Sequence, residues 1–348
     1  MKKKVMIGMS GGVDSSVAAA LLKEQGYEVI GVTFLLTPTG TEKAAEDAAR
    51  VADALSIAHQ TVDFTTEFAN DVMDYFASEY QKARTPNPCI ICNQKIKFGK
   101  FLEYAEQNGA DFIATGHYAK IQKAPDGTYC LMAGVAGKKD QSYFLYTLTQ
   151  KELSKTLMPL GEFDKEQIRR MAEDLALPVA HKPDSQDICF IPDGDYMRFL
   201  REYANYKDQK GYFKSTDGTV LGEHNGVAHF TVGQRKGLGV TFGKPMFVTG
   251  LSAETNTVYL GEQGTEFMQE FTASDLRLTS SNSLSENPSV VCKIRYSAPL
   301  VPCTVTNLKN GKVHIKTDLP VRAVTPGQAV VFYAGDRVLG GAVIDNMY

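Results

Sequence analysis

No stretch of this sequence approaches the roughly 20 consecutive apolar residues that a helix needs to cross a bilayer. The opening, MKKKVMIGMSGGVDSS, places lysines before a short apolar run that Gly, Ser and Asp soon interrupt. That run is too short for a secretory signal, so a cytoplasmic protein without a membrane span is expected. A low-complexity linker and an internal repeat are also missing. At 43% hydrophobic and 22% charged residues, the composition excludes disordered and fibrous classes. The 348 residues suffice for about two or three domains with real cores. There is no large charge excess: the net charge of −3 does not by itself announce a nucleic-acid partner. No second C-x-x-C accompanies the one in PNPCIIC, so the usual four-ligand zinc ribbon is incomplete.

Six cysteines are present, and a reducing cytoplasm argues against pairing them as structural disulfides. Cys130, Cys292 and Cys303 sit in strand-like contexts, TYCLMA, SVVCKIRY and VPCTVTNL, and read as small packing residues. Cys89 and Cys92, in the turn-rich PNPCIIC, and Cys189, in DSQDICFI, are the candidates for chemistry. Charge is unevenly spread. Arg84, Lys95, Lys97 and Lys100 share an acid-free stretch, and so do Arg235, Lys236 and Lys244. Such patches bind phosphate even on a nearly neutral protein, though a solvated surface accounts for them equally.

The first half alternates strand and helix. KKVMIGMS, YEVIGVTFLL, HQTVDF and DFIATGHY read as strands. DSSVAAALLKEQG, EKAAEDAARVADALS, EFANDVMDYFASEYQKA and KFLEYAEQNG read as helices between them. That order predicts a doubly wound parallel sheet, an α/β fold. TQKELSKTL opens with a capping box, Thr149 to Glu152, and DKEQIRRMAEDLAL and DYMRFLREYAN extend the helical part to about Asn205. From Gly211 onward, short β-type runs alternate with turn residues. STDGT and KNGKVHIK are hairpin signals, and the closing runs predict a small β-barrel or sandwich. Boundaries near 205 and 270 divide the chain into an α/β domain (1–205), a small central domain (206–269) and a C-terminal β-barrel domain (270–348).

GMSGGVDSS follows the first strand and opens the first helix. The N–H groups of a Gly-rich turn and a helix N-terminus form an anion site. Gly11 and Gly12 admit phosphate closely, and Ser10, Ser15 and Ser16 add hydroxyl donors. Neither a Walker loop nor a G-x-G-x-x-G fingerprint is present. Asp14 stands beside the anion site, placed to hold a phosphate-bound Mg²⁺ or to cap the helix.

SGGVDSS resembles the pyrophosphatase loop of enzymes that adenylate a substrate and release pyrophosphate. RTPNPCIICNQKIKF, ADFIATGHYA, KKDQSYFLYTL, DSQDICFI, TVGQRKGLG and TPGQAVVFY, in that order, resemble the bacterial tRNA-specific 2-thiouridylases from Lys4 nearly to the C-terminus. The resemblance implies ATP-dependent adenylation of the C2 oxygen of a wobble uridine, in tRNAs of the Lys, Glu and Gln type, followed by sulfur transfer. It makes Cys189 the persulfide carrier and Cys92 the nucleophile that forms a transient disulfide with it, with a sulfur-donor or relay protein as partner. It assigns ATP to Gly8, Met9, Ser10, Gly11, Gly12, Val13, Asp14, Ser15, Phe34 and Gly116, and the target base to Asn87, Pro88 and Cys89. For tRNA it points to His117, Lys139, Asp140, Gln141, Arg295, Tyr296 and Gln328. Arg235 and Lys236 are further phosphate candidates. Lys95 and Lys97 near Cys92, and Lys182 near Cys189, are the cations expected to promote thiolates, since only a thiolate is nucleophilic. Relatives carry Asp or Cys at position 89. Three cysteines at 89, 92 and 189 also leave an iron–sulfur cluster open. Two rival functions remain: an ATP pyrophosphatase acting on a small molecule, and a metal-stabilised RNA-binding protein.

Overall fold

The apolar segments of the first half pair as a parallel sheet in the computed structural model, which describes residues 2–38, 41–184, 188–240, 243–280, 284, 287 and 289–346. Strands β1 (Lys4–Gly8), β2 (Glu28–Leu35), β3 (Ala58–Asp63) and β4 (Phe112–Ala114) come first. The chain then leaves as a hairpin, β5 (Ala119–Lys123) and β6 (Tyr129–Ala133), and returns as β7 (Thr156–Leu157). The sheet order is β3-β2-β1-β4-β7, every neighbour parallel. Val5 and Ile7 of β1 enter one core and Met6 the other, so β1 is apolar throughout, as a strand covered on both faces must be. Chain order reverses between β1 and β4. Loops leaving those two strands part company there, which opens a crevice at their carboxyl ends.

Helices α1 (Val13–Glu24) and α2 (Glu42–Leu55) follow β1 and β2. Helices α3 (Thr65–Phe68) and α4 (Asp74–Gln81) are joined by π-helical turns at Ala69–Met73; α5 (Pro88–Cys92) and α6 (Phe101–Gln107) are joined likewise through Asn93–Lys100. PNPCIIC is therefore a helix start and not a loop. Pro88 takes the first position, where its missing N–H costs nothing, and Asn87 is the extended N-cap. Helix α7 (Gln150–Ser154) has the expected capping box, and α8 (Lys165–Asp174) has a second, from Asp164 and Gln167. Helix α9 (Tyr196–Ala204) packs back on α4 through Phe199 and Phe76, ring centroids 5.7 Å apart. Among the described residues, no helix is long and apolar enough to cross a membrane.

The central sheet, β10-β11-β8-β9, comprises β8 (Gly211–Ser215), β9 (Val220–His224), β10 (Met246–Ser252) and β11 (Thr257–Glu262) around Phe213, Val248 and Leu260. STDGT turns β8 into β9. The last strands are β12 (Phe267–Leu278), β13 (Val291–Lys293), β14 (Val301–Lys309), β15 (Lys312–Arg322), β16 (Ala329–Ala334) and β17 (Arg337–Ile344). They run β12-β15-β14-β13-β16-β17, and pairing of β17 with β12 closes the barrel. Asn310 and Gly311 both have positive φ, 53° and 72°, as a two-residue hairpin turn of this sequence requires. Cys130, Cys292 and Cys303 are buried in strands as expected. The excursion of β5 and β6 was not expected: β6 adds to β17, with Met132 opposite Arg337, so the barrel sheet is extended by a piece of the first half.

Candidate active site

At the mouth of the crevice, Gly11 adopts φ +64°, and a Cβ there would lie 2.5 Å from the Ala44 carbonyl oxygen. Only glycine fits. Gly12 is an extended N-cap with no side-chain cap, which leaves the first-turn N–H groups of α1 to an anion. Met9 and Val13 are buried and anchor the loop from below, while Ser10 is exposed. Ser16 donates to the Gly12 carbonyl at 2.7 Å, and Ser15 Oγ accepts from the Ser10 N–H at 3.2 Å, so both hydroxyls brace the turn. Phe34 closes one side. Its ring lies against Gly8, where a Cβ would be 3.2 Å away, and tilts on Phe101 and Phe64 at 4.8 and 5.6 Å.

Gly116, just past β4, abuts the loop itself. A Cβ there would be 2.8 Å from the Ser15 nitrogen and 3.0 Å from the Asp14 carbonyl carbon. Backbone cannot swing aside as a side-chain tip does. On the ATP site that the sequence resemblance implies, Gly116→Ala is expected to raise the KM for ATP at least tenfold, about 1.4 kcal/mol, with tRNA affinity nearly unchanged. An ATP titration giving the wild-type KM would show that the turn need not hold this position.

Asp14 is neither a helix cap nor a free carboxylate. It accepts from Lys165 Nζ at 2.7 and 2.9 Å and from the Tyr118 hydroxyl at 2.6 Å. Lys165 also bridges to Asp184 at 2.8 Å, and Arg169 and Lys139 meet the same carboxylate at 2.9 and 3.1 Å. Burial raises the Asp184 pKa, but hydrogen bonds from Lys165 and Lys139 outweigh it and hold the group at about 2. Lys182 donates to the Gly11 carbonyl at 2.9 Å and to Asp47 at 2.6 Å, with Arg50 on the other Asp47 oxygen. Lys182 thus steadies the phosphate loop, contrary to the expectation that it serves Cys189. Lys165, Arg169 and Asp47 went unread in the sequence because they come from separate segments with no motif of their own, and Asp184 because its place at the start of DSQDICFI says nothing of the cations it meets.

The thiols gather elsewhere in the same domain. Cys89 and Cys92 stand at i and i+3, on neighbouring positions of one helix side. Cys189 follows Ser185, Gln186 and Asp187 of its motif, which lie outside the described residues. Its neighbour Phe190 is locked edge-on against Phe68, Phe76 and Phe199 at 5.6, 5.4 and 5.2 Å. Phe190 is half-buried, so the anchor is worth less than the about 3 kcal/mol of a fully buried ring, but its three ring contacts hold the segment that carries Cys189. All three cysteines are reduced; Cys92 is buried, and Cys89 and Cys189 open to solvent. Burial pushes the Cys92 thiol up to about 12, Lys97 draws it back, and Cys189 and Cys89 push it further. Desolvation raises Cys89 and Cys189 as well, since protein crowds both thiols despite their openness, and Lys97 again opposes the rise. Lys97 is therefore the shared cation, whereas Lys95 is exposed and acts on none of the three. Beside Cys92, buried Asn93 donates to the Phe144 carbonyl at 3.1 Å, and its Oδ1 has no partner among the described residues. Among the described residues, no three Cys, His, Asp or Glu side chains converge as a metal-ligand set, so Cys89, Cys92 and Cys189 as placed do not fit a cluster.

Asn87 is half-buried and Pro88 buried at the start of α5. His117 is 8% exposed, bonded through Nδ1 to Thr115 at 2.8 Å. Burial first, and Lys97 second, hold it neutral, so it is no phosphate-binding cation. Asp140 accepts from Gly134 and Ser142, and Gln141 accepts from the Tyr118 N–H. Arg295 donates to the Val232 carbonyl at 2.8 Å and to Thr325, and the Tyr296 hydroxyl donates to the Lys138 carbonyl at 3.0 Å. Gln328 donates to the Thr85 carbonyl at 2.9 Å. Arg295 thus ties the barrel to the central domain, and Tyr296 and Gln328 tie it to the first domain, Gln328 next to PNPCIIC. Arg84 and Lys100, from the basic stretch, are engaged by Glu79 and Glu103. Arg235 and Lys236 are exposed.

Comparison with known proteins agrees with this arrangement. A family profile described as the tRNA methyl transferase HUP domain matches residues 3–193. Profiles for the associated PRC-barrel and aminomethyltransferase β-barrel domains match 197–262 and 268–344. The chain is 49% identical over 356 residues to the tRNA-specific 2-thiouridylase MnmA of Acetivibrio thermocellus, covering 99% of each. It is 46% identical over 357 residues to the protein of that name from Clostridioides difficile, again covering 99% of each.

Proposed function

Because this chain belongs to the tRNA-specific 2-thiouridylase family, we propose that it uses ATP to replace the C2 oxygen of a wobble uridine in tRNA with sulfur delivered by Cys189. The observation that carries this reading is that one domain holds the bare glycine N-cap of the phosphate loop, two reduced cysteines on one side of α5 and a third, Cys189, beside the Phe190 anchor. ATP lies with its phosphates on the Gly11–Ser15 turn, beside Lys165 and Lys139. The uridine C2 oxygen attacks the α-phosphorus and pyrophosphate leaves, so a poor leaving group becomes AMP. Oxygen ligands suit Mg²⁺, which is commonly held by one or two carboxylates and the substrate phosphates. Asp14 is the loop carboxylate that would hold it, in place of one of its two bonds to Lys165, and the ion would offset charge on the departing pyrophosphate.

The terminal sulfur of a Cys189 persulfide then attacks C2 and AMP leaves. The adduct is a disulfide between the C2 sulfur and Cys189. The Cys92 thiolate attacks the Cys189 sulfur, the S–S bond to the base breaks, and its electron pair stays on the C2 sulfur as the thiocarbonyl. Cys92 and Cys189 are left as a disulfide, which suits a transient catalytic bridge. A thiol reductant resets it, and a persulfide-bearing donor protein recharges Cys189. Phe34 packs the nucleotide side, Asn87 and Pro88 shape the approach to the base, and tRNAs of the Lys, Glu and Gln type supply it. The uridine leaves its stack to reach the thiols. Action on tRNA with free thiols in use suits the cytoplasm. The domain boundaries proposed are near 205 and 270. Methyl transfer, which the matching profile's description mentions, has no use for three grouped cysteines.

The test is single-turnover thiolation of a wobble-uridine tRNA by persulfide-charged enzyme, with AMP, pyrophosphate and 2-thiouridine all measured. Release of AMP without tRNA dependence would instead favour a small-molecule substrate. Cys89 separates persulfide chemistry from cluster chemistry in the same assay. Cys89→Asp is expected to keep at least about a third of the wild-type rate, because a carboxylate serves as a polar neighbour to the base but replaces thiolate poorly at iron. Loss equal to that of Cys92→Ser, together with loss of bound iron, would make PNPCIIC a cluster motif.

A further inference from the structure

Where the central domain meets the barrel, a cavity of about 810 Å³ is lined by Arg235, Lys236, Phe247, Phe267, Glu266 and Arg322 among others. We propose that this cavity receives one unpaired nucleotide of the bound tRNA, outside the catalytic crevice, with its base on Phe267 and its phosphate against Arg322, Arg235 and Lys236. The inference rests on tRNA being the substrate. Phe267 and Arg322 are directly opposed across β12 and β15, so an aromatic face and a cation are presented side by side. Phe267 is 45% exposed, which is unusual for a large apolar ring and suits a stacking platform that tolerates any base.

Arg322 is held in place before any ligand arrives. Its guanidinium lies 5.5 Å over the Phe247 ring and 3.4 Å from Glu266. Glu266 is buried and its other oxygen accepts from the Gly264 N–H at 2.7 Å. A fixed fork of donors loses less entropy on meeting phosphate than a free lysine does. Three cations face one carboxylate across the recess, a surplus that complements a phosphate backbone. The loop bearing Arg235 and Lys236 is itself braced: Gln234 accepts from the Thr231 N–H at 3.0 Å and donates to the Lys236 carbonyl at 3.0 Å. Thr231 in turn meets Thr85 at 3.3 Å, and Thr85 leads directly into PNPCIIC. A nucleotide seated in the cavity therefore bears on a surface continuous with the thiol helix.

The experiment measures binding of a full-length wobble-uridine tRNA transcript to wild-type, Phe267→Ala, Phe267→Trp and Arg235→Ala enzymes across a salt series. Phe267→Ala is expected to weaken binding roughly tenfold, as loss of one stacked base does, with the change in the tRNA KM and not in the ATP KM. Phe267→Trp, which keeps a ring, restores wild-type affinity. Arg235→Ala lowers the magnitude of the salt slope by about one. Unchanged tRNA affinity in Phe267→Ala overturns the proposal. So does unchanged affinity combined with slower recharging by a persulfide donor protein, which would assign the cavity to that protein. A wild-type chain that binds no tRNA would overturn the substrate assignment as well, so the two failures are distinguishable.

Discussion

Cys189→Ser is expected to reduce thiolated tRNA to background, at least about a thousandfold below wild type, while the first tRNA-dependent release of pyrophosphate persists. Serine cannot carry a sulfane sulfur, and among the described residues the phosphate loop is held without Cys189: its turn is braced by Ser15, Ser16 and Lys182, and Asp14 by Lys165 and Tyr118. Cys189 is open to solvent, and Phe190 supplies the anchoring of its segment, so the substitution should not disturb the fold. Cys92→Ser is expected to fail differently. Sulfur still reaches C2, but the disulfide between the base and Cys189 is not cleaved, so enzyme and tRNA remain covalently joined. A small added thiol should release 2-thiouridine from that adduct. Denaturing gels with and without the thiol check this, alongside pyrophosphate release. Wild-type thiolation by Cys189→Ser, or a Cys92→Ser enzyme that turns over without added thiol, would exchange or abolish the roles of carrier and resolving thiol.

Replacement of Lys97 by methionine is expected to cut sulfur transfer at neutral pH at least about tenfold and to move its rise with pH upward by about one unit. Burial puts the Cys92 thiol at about 12, with Lys97 the opposing charge at Cys89, Cys92 and Cys189 alike. The sign is fixed by that direction. A raised thiol pKa keeps the proton on at neutral pH, and removal of the cation raises it further, so less thiolate is present at any pH below it. Each unit is a tenfold loss of thiolate in that range. Methionine keeps the length and apolar stem, and Lys97→Arg should restore the profile. A pH series of single-turnover rates decides between charge and packing. A loss uniform at every pH, without recovery at high pH, would mean that Lys97 holds the pocket's shape and not its charge. ATP binding should be indifferent to both substitutions, because among the described residues the loop is braced by Ser15, Ser16 and Lys182 and not by Lys97.

Much of this was legible in the residues alone. The order of strands and helices in the first half, the anion turn at GMSGGVDSS, the Thr149 capping box and the Asn310–Gly311 hairpin follow from local preferences: periodicity, glycine at positive φ, and capping chemistry act within a few residues of chain. The resemblance carried by PNPCIIC and DSQDICFI brought Cys92 and Cys189 into one reaction. What local rules do not contain is which segments meet. PNPCIIC looked like a turn because Pro and Asn favour turns, yet Pro88 at a first helical position starts α5 just as well, and packing of Ile90 and Cys92 into the core decides it. TYCLMA reads as strand-like around Cys130, but only closure of the tertiary fold chooses β17 as the partner of β6. The same holds for charge. Lys182 is seven positions from Cys189 in the chain and was expected beside it, but it spends its donors on Gly11 and Asp47, while Lys97 is the charge that opposes the rise in pKa at all three thiols. Electrostatic partnership falls off with distance in space, so the sequence by itself determined the chemistry available to this protein, and only the packed chain decided which cation serves which anion or thiol.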